Sequence, residues 1–201
     1  MKKLITSVFF IISLLCMTAC STPLGRNSVR ENKLGSAFSS TFKMTLDKLN
    51  AEGTITRLGD GEWITEFESP NTLSGVKLTF SGGIVTADYK GLTFSVPKSA
   101  LPVKAMLSNL IEAVDTNSRE SELLGKENEG KFEINGSLEG GNYTLSLSND
   151  GNISSFDMPN NLLHITFTNV QNKEGIASSG TEPSTSITPY TTTIDKAVTT
   201  G

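Results

Sequence analysis

The feature that most constrains this chain is a long run of short alternating segments, interrupted once by an amphipathic helix. Phe42, Met44 and Leu46 alternate with Lys43, Thr45 and Asp47, and Trp63, Thr65 and Phe67 alternate with Ile64, Glu66 and Glu68. A period of two puts one set of side chains on one face of a strand and the other set on the opposite face. Further strand-like runs are Thr54 to Arg57, Val76 to Phe80, Ile84 to Tyr89 and Gly91 to Val96. After the helix, Glu122 to Lys126, Lys131 to Ile134, Tyr143 to Leu147, Ile153 to Asp157 and Leu163 to Thr168 continue the pattern. Asp60-Gly61, Ser81-Gly82-Gly83, Glu139-Gly140-Gly141-Asn142 and Asn149-Asp150-Gly151 lie between runs, and such glycine turns join neighbouring antiparallel strands. Ser69-Pro70-Asn71 and Pro97 end strands, because proline cannot donate to the ladder.

The interruption runs from Pro102 to Asp115. Val103, Met106, Leu107, Leu110, Ile111 and Val114 form one stripe at helical spacing, with Lys104, Ser108, Asn109, Glu112 and Asp115 on the other side. Ser99 is a candidate N-cap, and Pro102 is tolerated in a first turn.

Sizes then decide the architecture. About ten strands at roughly 4.8 Å spacing would make a flat sheet about 48 Å wide. A helix is about 10–12 Å across, so it covers two or three strands. Nearly every strand nevertheless has an apolar face. The expected fold is α+β and mainly antiparallel: a curled half-barrel of about ten strands, with the central helix (about 102–115) packed on its concave side. Phe42, Trp63, Phe67, Phe80, Phe94, Phe132, Tyr143, Phe156 and Phe167 are the large candidates for the interior. Trp63, Phe80, Phe94, Met106 and Leu110 are the candidates for an apolar groove, should the curl leave one.

The N-terminus reads as an address. Met1-Lys2-Lys3 is a positive n-region, and Leu4 to Met17 is an uncharged apolar run too short for a comfortable membrane span. Met17-Thr18-Ala19-Cys20 resembles a bacterial lipobox, with Met17 in place of the usual leucine. This resemblance implies cleavage after Ala19 and acylation of Cys20 with palmitate-type chains. Two acyl chains hold a protein stably at a membrane. The expected location is therefore the extracytoplasmic face of the cell membrane, lipid-anchored through Cys20.

The expected organisation is a lipoprotein signal peptide at 1–19, a flexible tether at 20–36 and a half-barrel domain at 37–170. A disordered tail follows at 171–201, where 12 of 31 residues are Ser or Thr. Removing the leader takes Lys2 and Lys3 and leaves 15 basic against 21 acidic residues, a net charge of −6. That balance argues against nucleic-acid binding. Cys16 and Cys20 are the two cysteines, so the domain has no thiol, disulfide or cysteine metal site.

Catalytic chemistry has little to stand on. No phosphate-binding glycine loop, dinucleotide fingerprint or nucleophile elbow occurs, and no catalytic, cofactor or metal residue is assigned. His164, the single histidine, falls on the polar side of its strand. Glu66 and Glu68 share a strand face about 7 Å apart, but two glutamates on a solvated sheet face are far commoner than a catalytic pair.

The run Thr54-Ile-Thr-Arg-Leu-Gly-Asp-Gly-Glu-Trp-Ile-Thr-Glu-Phe-Glu-Ser-Pro70 is followed by Leu73-Ser74-Gly75 and Tyr89-Lys90-Gly91-Leu92. The layout resembles the lipoprotein-carrier fold of LolA, LolB and LppX-type proteins. The quoted motifs resemble small uncharacterised lipoproteins of Gram-positive, clostridia-like bacteria. The likeness covers about Ala37 to Val170 and is specific over Thr54 to Val96. It implies an unclosed antiparallel barrel that carries acyl chains in its concave interior. The chain departs from those carriers in its expected anchor and in its fewer helices, so no binding residue is transferred. The expected function is a non-enzymatic, membrane-anchored binding module for a lipid or other apolar ligand. The alternative is an envelope interaction or sensor protein with a packed core, its protein partner unknown.

Overall fold

The computed structural model describes residues 27–101 and 107–173. The leader, Cys20, Val103, Met106 and the Ser/Thr-rich segment from 174 onward lie outside the described residues. Among the described residues twelve strands form one antiparallel sheet. They are β1 (Asn27–Glu31), β2 (Phe38–Leu46), β3 (Leu49–Gly59), β4 (Glu62–Ser69), β5 (Lys77–Ser81), β6 (Ile84–Tyr89) and β7 (Leu92–Pro97). After the helix α1 (Ser108–Ser118) come β8 (Glu122–Asn128), β9 (Lys131–Leu138), β10 (Gly141–Leu147), β11 (Ile153–Met158) and β12 (Leu163–Asn172).

The spatial order is β1-β8-β9-β10-β11-β12-β2-β3-β4-β5-β6-β7, so the sheet is open, with β1 and β7 as its edges. This order explains the helix. The chain meanders from β2 in the middle to β7 at one edge, and must then reach β8, one strand from the other edge. The connection has to cross the sheet, and α1 is its helical part. Its Leu110, Ile111, Ala113 and Val114 share one buried cluster with Trp63 and Phe80 of one half of the sheet and with Phe132 and Leu145 of the other. One cluster can join both halves only if the sheet curls around the helix. Edge-to-face ring pairs, Phe38 with Trp63 and Phe42 with Phe67, each 5.7 Å apart, lock its inner face.

The turns follow the glycine signals. Asp60-Gly61 joins β3 to β4, and Gly61 has φ +71°, a conformation that glycine adopts without penalty. Phe42, Trp63, Phe67, Phe80, Phe132, Tyr143, Phe156 and Phe167 are all buried. Phe94 is the exception: it is 65% exposed.

Two sequence expectations are corrected. First, the helix is displaced. It begins at Ser108, after Leu107 in a left-handed conformation, and ends at Ser118, three residues past Asp115. Its polar side is not all solvated: Ser108, Asn109 and Asp115 are buried. A helix enclosed by a curled sheet has neighbours on more than one side, so polar positions are buried and must find partners.

Second, residues 27–36 are part of the fold, not of a tether. The strand β1 carries only one large apolar residue, Val29, and so lacks the alternation that marks its neighbours. It is held by pairing along its whole length with β8 and by Arg30. The Arg30 guanidinium donates to both Glu127 carboxylate oxygens at 2.9 and 3.0 Å and to the Ser148 carbonyl at 3.0 Å. It also lies 5.0 Å above the Phe132 ring. Gly125 makes this packing possible, since a Cβ there would come within 2.8 Å of that ring. Beyond β1, Asn32 donates to the Asn117 and Glu120 carbonyls at the end of α1, and Leu34 is buried.

Candidate functional site

The site is built around the place where α1 meets β3 and β4. Arg57 is 1% exposed and Asp115 5% exposed. Arg57 occupies the inward position of β3 after Ala51, Gly53 and Ile55. Its Nε donates to Asp115 Oδ1 at 3.2 Å, and its other nitrogens donate to the Gly35 carbonyl at 2.7 Å and Ser118 Oγ at 3.1 Å. Asp115 also accepts from the Gly61 backbone N–H at 3.0 Å and from Trp63 Nε1 at 3.1 Å. Every charged group here is paired, which is what makes burial of an ion pair tolerable. The cluster therefore clasps the helix to the sheet, and its carboxylate is fully engaged as an acceptor. Just outside, Arg119 donates twice to the Asp60 carboxylate, both at 2.9 Å, in water. Those hydrogen bonds hold the Asp60 carboxyl below its ordinary range and raise the Arg119 pKa above its own.

From this clasp the concave face can be followed by register, because directly opposed residues share a face. One row runs Arg57, Trp63, Phe80, Val85, Val96. The next runs Ile55, Thr65, Leu78, Ala87, Phe94, and on the last two strands Tyr89 stands opposite Leu92. In the first row Trp63, Phe80 and Val85 are buried core, and Ile111 of α1 faces the same cleft as Phe80. The second row begins fully buried at Ile55 and Thr65 and ends with Phe94 at 65% exposure; Leu92 beside it is 72% exposed. The inner face is thus closed at one end and open along β7. The Thr65 hydroxyl, buried in this row, has no hydrogen-bond partner.

Two clefts flank the helix. One of about 380 Å³ is bordered by Asp60, Ser81, Lys98, Glu112 and Arg119. The other, of about 550 Å³, has Lys98, Ser99, Ser108, Asn109 and Glu139 in its wall. Polar and apolar surface border both in nearly equal measure, so neither offers the continuous apolar wall that suits an acyl chain.

The groove candidates from the sequence separate accordingly. Trp63, Phe80 and Leu110 are packed into the core, Phe94 is on the open end of the concave face, and Met106 lies outside the described residues. The structure does not bring the four described residues together as one lining. Glu66 and Glu68 are exposed on the convex face, Glu66 opposite Lys77. His164 is exposed and meets Asp157 on the neighbouring strand. Among the described residues no group of three or more His, Cys, Asp or Glu is placed to hold a metal, and no helix is long and apolar enough to cross a membrane.

Sequence reasoning missed the Arg57–Asp115 clasp. One signal was present: an arginine at the inward position of an alternating strand demands a buried acid. Periodicity could not say that the acid would come from the polar side of the helix.

No family model and no curated protein matches the chain. Solved structures offer distant likenesses. An uncharacterized conserved protein from Thermus thermophilus is 12% identical, with 70% of this chain and 80% of that one covered and a TM-score of 0.44. A LolA superfamily protein from Nitrosomonas europaea is 7% identical over 70% and 87% of the two chains, with a TM-score of 0.34. A DUF1329 family protein from Desulfovibrio piger is 13% identical over 75% and 90%, with a TM-score of 0.39. At this distance none of the three bears on function, which rests on the geometry of the chain itself.

Proposed function

We propose that this protein is an extracytoplasmic lipoprotein, anchored at the cell membrane through acylated Cys20, whose half-barrel binds a lipid or other apolar ligand without catalysis. One observation carries the ligand reading: the apolar rows of the concave face run out of the packed core to Leu92 and Phe94, which are exposed along β7. Large aromatic and aliphatic side chains left open on an inward-facing surface are where apolar contact adds most free energy. The ligand therefore sits over β5–β7, not beneath the helix, where Leu107, Leu110, Ala113 and Val114 leave no exposed surface. The anchor rests on the lipobox-like Thr18-Ala19-Cys20 after its apolar run.

The test uses mature protein extracted from membranes, stripped of lipid and titrated with a fluorescent fatty acid. The expected result is saturable binding that Phe94→Glu abolishes while the fold is retained. Binding unaffected by Phe94→Glu, or none at all, overturns the ligand reading. The filled core beneath the helix favours a second reading, an envelope interaction protein that contacts a partner protein. Crosslinking in intact cells through a reactive group at position 93 should then recover one specific protein, and its absence counts against that reading. Incorporation of labelled palmitate that survives Cys20→Ser would refute the anchor.

A further inference from the structure

The other sheet edge bears on how the protein sits at its membrane, an inference that rests on the Cys20 reading above. The strand β1 starts at Asn27, so only residues 21–26 separate Cys20 from the sheet. Seven extended chain steps span at most about 25 Å. A domain of this size has a radius of gyration of about 15 Å and is therefore wider than its tether is long. The edge that carries β1 is then the one held near the bilayer.

That edge has an apolar surface on its outer face. Val29 and Leu124 stand directly opposite each other, 54% and 73% exposed. Their neighbours Arg30 and Leu123 are also opposed and point inward, Leu123 into the core. Val29 and Leu124 therefore point outward. They border a shallow depression of about 380 Å³ edged by Asn27, Lys126, Glu133 and Asn135.

We infer that this outer face, centred on Val29 and Leu124, rests on the lipid bilayer that holds Cys20. The occupant is set by chain length, since six residues leave no room for the domain to present another edge. Charge does not drive the contact: the mature chain is net acidic, and on the same face Glu31 and Glu122 stand opposed on one side of the Val29–Leu124 pair, with Lys126 on the other. It is an apolar contact made effective by the short tether, which raises the local concentration of the bilayer.

The experiment uses full-length lipidated protein in phosphatidylcholine vesicles containing headgroup-nitroxide lipid. An environment-sensitive fluorophore is placed by Leu124→Cys or, at the opposite edge, by Thr93→Cys. Mass spectrometry of each sample reports acylation of Cys20. The expected result is quenching several-fold stronger at 124 than at 93, unchanged by added salt and reduced by Val29→Asp. Equal quenching at the two sites in acylated protein overturns the inference and leaves the anchor standing. Protein without an acyl group at Cys20 overturns both.

Discussion

The strands β1 and β7 are the two free edges of one sheet, and both expose apolar side chains, but on opposite faces. At β1 the inner face is sealed. Arg30 folds over Phe132 and is fixed by Glu127, so what remains exposed is Val29 and Leu124 on the convex side. At β7 the inner face stays open, with Phe94 65% and Leu92 72% exposed. Val96, Phe94 and Leu92 follow one another along it, and the exposed pair looks into the curl. The outer face of β7 is polar instead, with Thr86 and Ser95 hydrogen-bonded across the ladder. Exposure alone therefore does not define a binding surface. Which face an exposed residue occupies decides whether its partner is a flat layer outside or a molecule held within.

The predictions test that contrast, beginning with the clasp that closes the shared interior. Asp115→Ala leaves the buried Arg57 guanidinium and Trp63 Nε1 without their acceptor. We expect a loss of about 3–5 kcal/mol in chemical denaturation, enough to unfold much of the population. Stability within error of wild type would mean that the helix is not held by this pair. Arg30→Ala should cost about 1–2 kcal/mol, through its charge-assisted hydrogen bonds and ring contact. The contrast requires the damage to be local. Amide exchange should speed up in β1 and β8 and remain unchanged in β7, and uniform loss of protection would argue against separate edges.

Thr65→Val replaces a buried hydroxyl that has no partner, and should stabilise the domain by about 1 kcal/mol. A destabilised variant would mean that the hydroxyl is engaged after all. Phe94→Ser should move stability by no more than about 0.5 kcal/mol, as for an exposed position, while lowering affinity for an apolar probe. A large stability loss would show that Phe94 belongs to the core.

The smallest effect is at the solvated Asp60–Arg119 pair. The pKa of Asp60 is lower folded than unfolded, so its contribution is present above the unfolded pKa and fades as pH falls through the folded one. Wild type should therefore lose slightly more stability than Asp60→Asn as pH drops below the ordinary carboxylate range, by a margin that water screening keeps small. A wild-type advantage over Asp60→Asn that grows as pH falls would reverse the sign.

Much of the fold was legible along the chain. Trp63, Thr65 and Phe67 point inward as their alternation requires, and Asp60-Gly61 makes its turn, because both depend on neighbours a few residues apart. The strand β1 was not legible. Its Asn-Ser-Val-Arg-Glu segment becomes a strand through backbone pairing with residues nearly a hundred positions away. The candidate site was legible only in part. Phe94 could be named as apolar and inward-facing, but not as uncovered, and Arg57 could not be matched to Asp115.

Local chemistry thus determined the strands from β2 onward, their inward faces, the need for a curled sheet and the presence of a crossing helix. Those follow from side-chain period and from the width that a single helix can cover. Tertiary structure alone decided where the crossing helix lands, which acid meets Arg57, and which end of the concave face stays open. The reason is that these depend on strand order. The sheet places β1 and β7 at opposite edges, and only the assembled sheet determines which rows of the concave face the connecting helix reaches.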